Sequence, residues 1–425
     1  MFVELDTLSD SPVVFVGGKL RHLHGRVALV DCRGSKLVAV TIYRKYVGLE
    51  VNGLADEISV SEYVLQELGC EPDDVEVSFH SDGLFVYGTL LPKYITPGGS
   101  IGFGWGGLDK YPWVRTVVRG YTLFYSGLPY AVKYSSGNLL GVTYLGVPDS
   151  VETRIDSVEL GAGYTKVERE GVVVENFPIY PSLRVRLYEY EPISGTKIPT
   201  MLFGELFVCD DELYWYDRRS FFDVLEGNCG IVITAPHGGL YRPRDMKPIS
   251  NREADENTFE LAKTIISKLY ELSDFKLVPN AVLGRIHRSI VDLNRYSTNP
   301  INRQYHEAIR KLASNYSRVI LVDIHGMRNR EGRDIEIGTL FGDTVHGDLE
   351  LVECVRRVLI RHGLRVVVDK ELIGHFTVSE HSRRENVYAL QIEIGREQRL
   401  RRNIDGVAGA LAIAILEAYE YLSNR

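Results

Sequence analysis

Residues 318–326 read RVILVDIHG, and this stretch decides the fold of the second half of the chain. Apolar residues fill positions 319–322 without alternation, which is typical of a strand buried on both faces of a sheet. Asp323 and His325 stand at the carboxyl end of this run, where ligands collect in doubly wound sheets. The polar residues that follow each predicted strand are therefore the candidates for function.

Similar short runs rich in Val and Ile recur at 231–235, 365–368 and 389–394. Between them, apolar residues recur at three- and four-residue steps at 261–269 and 351–359, which is the period of a helix. Gly363 closes the second of these helices, as glycine often does. From 229 to 425 the pattern therefore predicts a doubly wound, largely parallel α/β sheet.

The chain before residue 229 is β-rich, and its full length of 425 residues predicts about three domains. Short β-type runs alternate with turns at 13–16, 26–30 and 36–42, and one helix candidate at 59–68 ends at Gly69. We predict a small β-rich domain of unknown role at 1–80, a second β-rich domain at 83–208 and a linker at 209–228. The predicted fold class is multidomain, α/β and α+β.

Charge and composition exclude several classes of partner. The formal net charge of −8 argues against a nucleic-acid or an anionic-membrane surface, since both need basic patches. The apolar run at 407–416 is half the length that spans a bilayer and predicts a buried helix. Residues 1–18 are acidic where a signal peptide would be basic. We expect a cytoplasmic protein with no membrane or nucleic-acid partner.

The cysteines predict neither a disulfide framework nor a cysteine zinc site. There are five of them, an odd number, and none forms a CxxC pair. Disulfides are also rare in a reducing cytoplasm. We therefore expect free thiols.

Two histidines stand at two predicted strand ends. His237 follows the run at 231–235, and His325 closes the run at 318–323. A catalytic zinc ion takes about three protein ligands, histidine nitrogens and a carboxylate, with one position left for water. Read singly, each histidine also fits a hydrogen-bonded structural residue.

Five motifs in order resemble the N-formylglutamate amidohydrolases, a family with a zinc carboxypeptidase-like fold. The resemblance covers nearly all of 230–400. Its motifs are Pro236-His237-Gly238-Gly239, Asp255, Arg288 through Arg295, Asp323-Ile324-His325-Gly326 and Gln391-Ile392-Glu393.

The resemblance implies a Zn²⁺ ion held by His237 and His325. We expect Asp255 to be the third ligand, and Asp245 and Glu253 remain alternatives because no HxxE spacing decides between them. Glu393 matches the glutamate that activates the zinc-bound water and passes its proton to the leaving amine.

The same resemblance implies that Asn294 and Arg295 hold a free carboxylate of the substrate, a task that suits the planar arginine fork. Arg288 supplies a second cation near a carboxylate or the oxyanion. The alternative for this segment is a helix or strand cap with a surface arginine. Asp323 either orients an imidazole or makes an ordinary buried hydrogen bond.

The central region resembles the γ-glutamylcyclotransferase-like fold over 83–208, beginning at Val86-Tyr87-Gly88-Thr89-Leu90. In that family the α-amine of a γ-glutamyl group attacks its own γ-carbonyl and releases 5-oxoproline and an amine. Glu159 matches the single catalytic carboxylate, and the turn from Tyr87 to Leu90 matches the segment whose backbone holds the substrate. Leu160 replaces the usual glycine, so a non-catalytic binding role remains an alternative.

These patterns predict an enzyme whose C-terminal domain hydrolyses an N-acyl glutamate or a related amide with zinc. The central domain has γ-glutamyl cyclotransfer as a second predicted activity. The expected partner is a small acidic molecule derived from glutamate. Two alternatives remain: a zinc hydrolase of a peptide or a poly-γ-glutamyl amide, and a binding protein that keeps both folds without chemistry.

Overall fold

The computed structural model describes residues 8, 10–44, 58–92, 94–95, 101–102, 107–191, 194–198, 215–216 and 219–424. The chain divides into two compact units, Met1–Glu205 and Leu206–Arg425. They are called the N-terminal unit and the C-terminal unit below, and each is described by itself.

The described elements of the N-terminal unit are mostly strands. They are β1 (Val13–Val16), β2 (Val27–Cys32), β3 (Ser35–Tyr43), β4 (Ile58–Val60), α1 (Glu62–Leu68), β5 (Val75–His80), β6 (Asp82–Val86), β7 (Tyr94–Ile95), β8 (Ile101–Gly102), β9 (Trp113–Tyr125), β10 (Pro129–Tyr144), α2 (Asp149–Glu159), β11 (Thr165–Val173), β12 (Ser182–Glu189) and β13 (Thr196–Lys197).

The described elements of the C-terminal unit alternate strands and helices. They are β14 (Trp215–Tyr216), β15 (Arg219–Ser220), β16 (Phe222–Leu225), β17 (Ile231–Ala235), α3 (Thr258–Leu272), β18 (Asn280–Gly284), α4 (Pro300–Ala313), β19 (Val319–Met327), β20 (Ile335–Gly338), α5 (Leu349–Arg361), β21 (Val366–Val368), α6 (Phe376–His381), β22 (Val387–Gly395) and α7 (Arg401–Ser423).

The first sheet of the N-terminal unit has the order β4-β1-β3-β2-β5. The predicted helix at 59–68 is wrong at its start, because residues 58–60 form β4 and pair antiparallel with β1. Helix α1 begins after Ser61, whose side chain accepts a hydrogen bond from Val64 N and so caps the free N–H groups of the first turn. Its end at Gly69 is confirmed, with the left-handed φ of 67° that favours glycine.

A disulfide joins Cys32, at the end of β2, to Cys70, just after α1. The expectation of free thiols is therefore wrong for this pair. The two cysteines are 38 positions apart in sequence, and only the packing of α1 beside the first sheet brings them together. Cysteine number and spacing carry no information on such a contact.

The second sheet of the N-terminal unit has the order β10-β6-β12-β11-β9-β13. Its core is continuous with that of the first sheet: Val13, Phe15 and Val40 belong to one buried cluster with Leu84 and Phe85. This cluster crosses the boundary that the sequence sets near residue 80. The division of this unit into two domains stays a prediction.

The C-terminal unit is built on a seven-stranded sheet with the order β16-β18-β17-β19-β22-β20-β21. The strands β18, β17, β19 and β22 run parallel to their neighbours in this row, whereas β16 is antiparallel to β18 and β20 is antiparallel to β22. The sheet is therefore mixed, and it begins with Phe222–Leu225, inside the predicted linker.

Helix α7 packs against α3 and α5. By length and composition alone it is apolar enough to cross a membrane. Half of its apolar 18-residue stretch, however, is buried inside the protein. Its buried residues include Ala408, Leu411 and Ile415. This is the pattern of a core helix, as the apolar run at 407–416 predicts.

Candidate functional sites

Two neighbouring parallel strands position His237 and His325 of the C-terminal unit. Strand β17 ends at Ala235, two residues before His237, and it pairs with β19, which contains His325. The glycines after His237 are needed for close packing, because a Cβ on Gly238 would lie 2.4 Å from Phe259 N and one on Gly239 would lie 2.3 Å from the Arg285 backbone. The two glycines of the PHGG motif thus allow this loop to pack closely against the backbone at Phe259 and Arg285.

Asp255 completes a cluster with these two histidines. Its main-chain N–H donates to the carbonyl oxygen of His237 (3.0 Å), which fixes the loop before α3 beside β17. Asp255 Oδ2 lies 3.5 Å from His237 Nδ1 and 3.2 Å from His325 Nδ1. One ligand atom from each residue lies within 4.8 Å of the others, and all three residues are buried. The alternatives Asp245 and Glu253 are exposed.

Hydrogen bonds to two further carboxylates orient both imidazoles. His237 Nε2 lies 2.7 Å from Asp292 Oδ1, and His325 Nε2 lies 2.9 Å from Asp323 Oδ2. Asp292 and Asp323 thus each hold the Nε2 of one imidazole, and the Nδ1 of each imidazole faces Asp255. His237 Nδ1 is buried and has no hydrogen-bond partner among the described residues. Two imidazole nitrogens and a carboxylate, each imidazole backed by a carboxylate, fit a zinc ion.

The Asp255 carboxylate is held in its ionised form. Burial alone would raise its pKa, but the adjacent His237 and His325 and the charge of Arg288 hold the pKa well below its usual range. Arg288 Nη1 donates to Asp255 Oδ1 (2.7 Å), and Gly326 N donates to Oδ2 (3.1 Å). Arg288 thus contacts the Asp255 carboxylate in this structure.

Glu393 lies beside the cluster because of strand register. On neighbouring parallel strands, His325 pairs with Glu393 and Asp323 pairs with Gln391. Gln391 Nε2 donates to Glu393 Oε1 (2.9 Å), and burial raises the pKa of Glu393. A buried carboxyl with a raised pKa is suited to accept and return a proton near neutral pH.

Asn294 and Arg295 lie next to the cluster in different surroundings. Asn294 is buried, its Oδ1 accepts from the Thr377 N–H (2.7 Å) and hydroxyl (2.8 Å), and its Nδ2 lies 3.0 Å from His325 Nε2. Arg295 is more than half exposed, and its Nε lies 3.1 Å from Asp292 Oδ2. Its terminal nitrogens make no hydrogen bond to any described residue.

Two residues of this site, Asp292 and Arg252, were given no role from the sequence. Asp292 supports His237 and also pairs with Arg295 and with Arg252, whose Nη1 donates to Asp292 Oδ2 (3.0 Å). Asp292 stands inside the Arg288–Arg295 motif, so the motif held the signal. Arg252 has no such signal, since it comes close only when the loop before α3 folds back.

A second candidate site is a cavity of about 240 Å³ in the N-terminal unit. It is lined by Tyr87, Gly88, Thr89 and Leu90 of the predicted turn and by Glu159 at the end of α2. Burial raises the pKa of Glu159, whose side-chain carboxylate makes no hydrogen bond within the described part of the chain. A Cβ on Gly88 would lie 2.5 Å from the Pro129 ring, so the turn tolerates no larger residue without a shift.

Comparison with known proteins finds one family model and several solved structures similar to parts of this chain. A sequence model of the N-formylglutamate amidohydrolase family matches residues 298–399, which include His325 and Glu393 but not His237 or Asp255. A comparison with curated protein sequences finds no match.

Three solved structures show the range of similarity. An N-formylglutamate amidohydrolase from Ralstonia eutropha is 18% identical, with a TM-score of 0.37, over 48% of this chain and 98% of that chain. An uncharacterized protein from Pyrococcus horikoshii is 28% identical, with a TM-score of 0.20, over 28% of this chain and 86% of that chain. A metallo-carboxypeptidase from Burkholderia cenocepacia is 10% identical, with a TM-score of 0.34, over 75% of this chain and 82% of that chain. Over residues 298–399 the chain is thus similar in sequence to the N-formylglutamate amidohydrolases.

Proposed function

We propose that the C-terminal unit is a zinc-dependent amidohydrolase that cleaves an N-acyl glutamate or a closely related amide. The observation that carries the proposal is the convergence of His237 Nδ1, His325 Nδ1 and Asp255 Oδ2 in one buried cluster. The sequence match to the N-formylglutamate amidohydrolase model supports amide hydrolysis as the reaction.

His237, Asp255 and His325 would hold the zinc ion. When bound, such an ion lowers the pKa of a coordinated water to about 7 and polarises a carbonyl oxygen. Asp292 and Asp323 fix the proton on the far nitrogen of each imidazole and so keep the donor atoms in place. Arg288 keeps Oδ1 of Asp255 occupied, which leaves Oδ2 for the ion.

Glu393 is the proton carrier in this proposal. It accepts the proton of the attacking water and returns it to the nitrogen of the leaving amine, as the C–N bond of the amide breaks. Gln391 holds one oxygen of Glu393 by a hydrogen bond, and the other oxygen serves the proton transfer. Arg295 binds a free carboxylate on the part of the substrate that leaves as the amine, through its terminal guanidinium nitrogens.

Replacement of the carrier alone tests this proposal. Glu393→Gln should keep bound zinc and lose about 10²-fold or more of the rate on an N-acyl glutamate, because general acid–base transfer contributes about that much. Glu397→Gln is the matched control. Glu397 lies four residues after Glu393, and its side chain is exposed and pairs with Arg402. Hydrolysis at the parent rate by Glu393→Gln would remove Glu393 from this role.

The two alternatives differ in measurable ways. A hydrolase of peptides or poly-γ-glutamyl amides would cleave those substrates faster than N-acyl glutamates in the same assay. A binding protein without chemistry would hold zinc or an acidic ligand and cleave no amide. A panel of N-acyl amino acids, short peptides and γ-glutamyl oligomers therefore separates the three.

As a second function we propose γ-glutamyl cyclotransfer by the N-terminal unit. The cavity gathers the turn from Tyr87 to Leu90 and Glu159, and Glu159 has the raised pKa of a proton carrier. In the reaction the α-amine loses a proton to Glu159 and attacks the γ-carbonyl, and the proton then passes to the leaving amine. Because the base must be ionised, 5-oxoproline release should fall with decreasing pH at a value above the usual pKa of a glutamate.

A further inference from the structure

The described side chains that line the cavity of the N-terminal unit are mostly uncharged. Among the described residues that line it, Glu159 is the only acid, and none is lysine, arginine or histidine. Three tyrosines add ring surface. Their hydroxyl groups already donate to protein acceptors: Tyr87 to the Tyr188 carbonyl, Tyr164 to the Pro129 carbonyl (3.0 Å) and Tyr188 to Asp156 Oδ1 (2.6 Å).

The polar groups left for a ligand are therefore few. The Glu159 carboxylate makes no hydrogen bond within the described residues, and the main-chain N–H groups of Gly88, Thr89 and Leu90 donate to no described acceptor. This set suits the α-amino group and the carboxylate of one γ-glutamyl group, the first at Glu159 and the second at the turn. Among the described residues that line the cavity, no further charged side chain is left for the other half of the substrate.

Large apolar side chains surround the same cavity. Leu128 and Val158 line it and are 52% and 47% exposed, and Leu160, directly after Glu159, is 49% exposed. Singly scattered apolar residues on a surface need no explanation, but two of these line one cavity. A ligand that covers them gains about 25 cal/mol for each Å² of apolar surface removed from water.

We infer that this cavity accepts γ-glutamyl amides whose leaving amine is apolar, an alkylamine or an arylamine, and rejects amines that carry a further charge. The inference rests on the cyclotransfer proposed above and names its substrate class. A leaving group with a carboxylate would meet Glu159 without a cation to offset it. A leaving group with an ammonium would lose its water against Leu128 and Val158.

The bonds formed and broken balance without a co-reactant. The α-amine nitrogen bonds to the γ-carbonyl carbon, and the bond from that carbon to the leaving nitrogen breaks. Glu159 takes one proton from the attacking amine and gives it to the leaving nitrogen. The products are 5-oxoproline and the free apolar amine.

A substrate series on the full-length protein tests the inference. We expect kcat/KM for 5-oxoproline release to rise from γ-glutamyl methylamide to butylamide to hexylamide, by up to about fourfold for each methylene that becomes buried. The 5-aminopentylamide has nearly the shape of the hexylamide but ends in an ammonium group, and we expect it to fall at least about tenfold below the hexylamide, since a charge would be desolvated.

Two variants report on the contact itself. Leu128→Ser and Val158→Ser should each lower the ratio of kcat/KM for hexylamide to that for methylamide. Leu272→Ser, at an exposed leucine of the C-terminal unit, should leave the ratio unchanged. Equal kcat/KM values across the alkyl series, or a preference for the 5-aminopentylamide, would overturn the inference and leave the cyclotransfer standing. Absence of 5-oxoproline from every amide would overturn the cyclotransfer and the inference together.

Discussion

In the proposed metal centre, Arg295 is the residue that would decide which substrate is cleaved. Its Nε pairs with Asp292, and its terminal nitrogens face no described partner. Arg295→Lys keeps the charge but loses the planar two-point contact with a carboxylate. We expect kcat/KM on an N-acyl glutamate to fall about ten- to a hundredfold, since a charge-assisted hydrogen bond contributes roughly 1.5–3 kcal/mol.

Two comparisons separate substrate binding from general damage. The loss should be much smaller on the substrate whose carboxylate is replaced by an amide, because that substrate never had the contact. Arg252→Lys is the matched control, since Arg252 pairs with the same Asp292 oxygen. Equal losses on both substrates, or the same pattern in Arg252→Lys, would mean that Arg295 acts by supporting Asp292.

At this scale the sequence identifies some groups and not others. The sequence predicts His237 and His325 because each stands near the carboxyl end of an apolar run, where polar residues are rarely needed for packing. The choice of Asp255 over Asp245 and Glu253 depends on a main-chain hydrogen bond from Asp255 to His237. No local pattern encodes that bond, and Arg252 is missed for the same reason.

Helices α4 and α6 meet through a buried histidine pair. His306 Nε2 donates to the Leu293 carbonyl (2.8 Å), so its Nδ1 accepts from His381 Nε2 (3.0 Å). Burial lowers the pKa of His306 to about 4 and that of His381 to about 3. The pair is therefore neutral in the folded chain, and it holds α6 near Asn294, which contacts Thr377.

This pair predicts a loss of stability in acid. A histidine whose pKa is lowered by folding stabilises the fold above its unfolded pKa of about 6.5, and the contribution disappears as the pH falls through the folded value. His306→Gln removes this titration. The difference in the free energy of unfolding between the parent protein and the variant should therefore decrease by roughly 3 kcal/mol from pH 7 to pH 4. Urea unfolding followed by far-ultraviolet circular dichroism measures this difference.

The surface variant His362→Gln is the control for this experiment, because His362 is exposed at the end of α5. Its difference from the parent should stay constant over the same pH range. A constant difference for His306→Gln as well would mean that the pair does not titrate in this way.

The bounds of some elements follow from the local sequence, whereas the bounds of others depend on tertiary contacts. The strands at 13–16 and 231–235 have the predicted bounds. Residues 58–60 join a sheet because β1 offers an edge, which the local sequence does not reveal. The bond between Cys32 and Cys70 likewise depends on where α1 packs.

For the whole molecule, the two proposed activities belong to two compact units. Glu159→Gln should reduce 5-oxoproline release by about 10²-fold or more and leave amide hydrolysis unchanged, because the two proposed sites have no residue in common. The variant with both His237→Ala and His325→Ala should show the reverse. Loss of both activities in either variant would contradict this independence.

Metal content tests the central claim most directly. Protein purified without chelator and supplied with zinc should hold about one zinc ion per chain, as a site of two histidines and one carboxylate requires. The double variant His237→Ala, His325→Ala should hold close to none, whereas His362→Ala, at an exposed histidine, should match the parent. Unchanged zinc in the double variant, or a parent protein that binds no zinc, would contradict a metal centre at His237, Asp255 and His325.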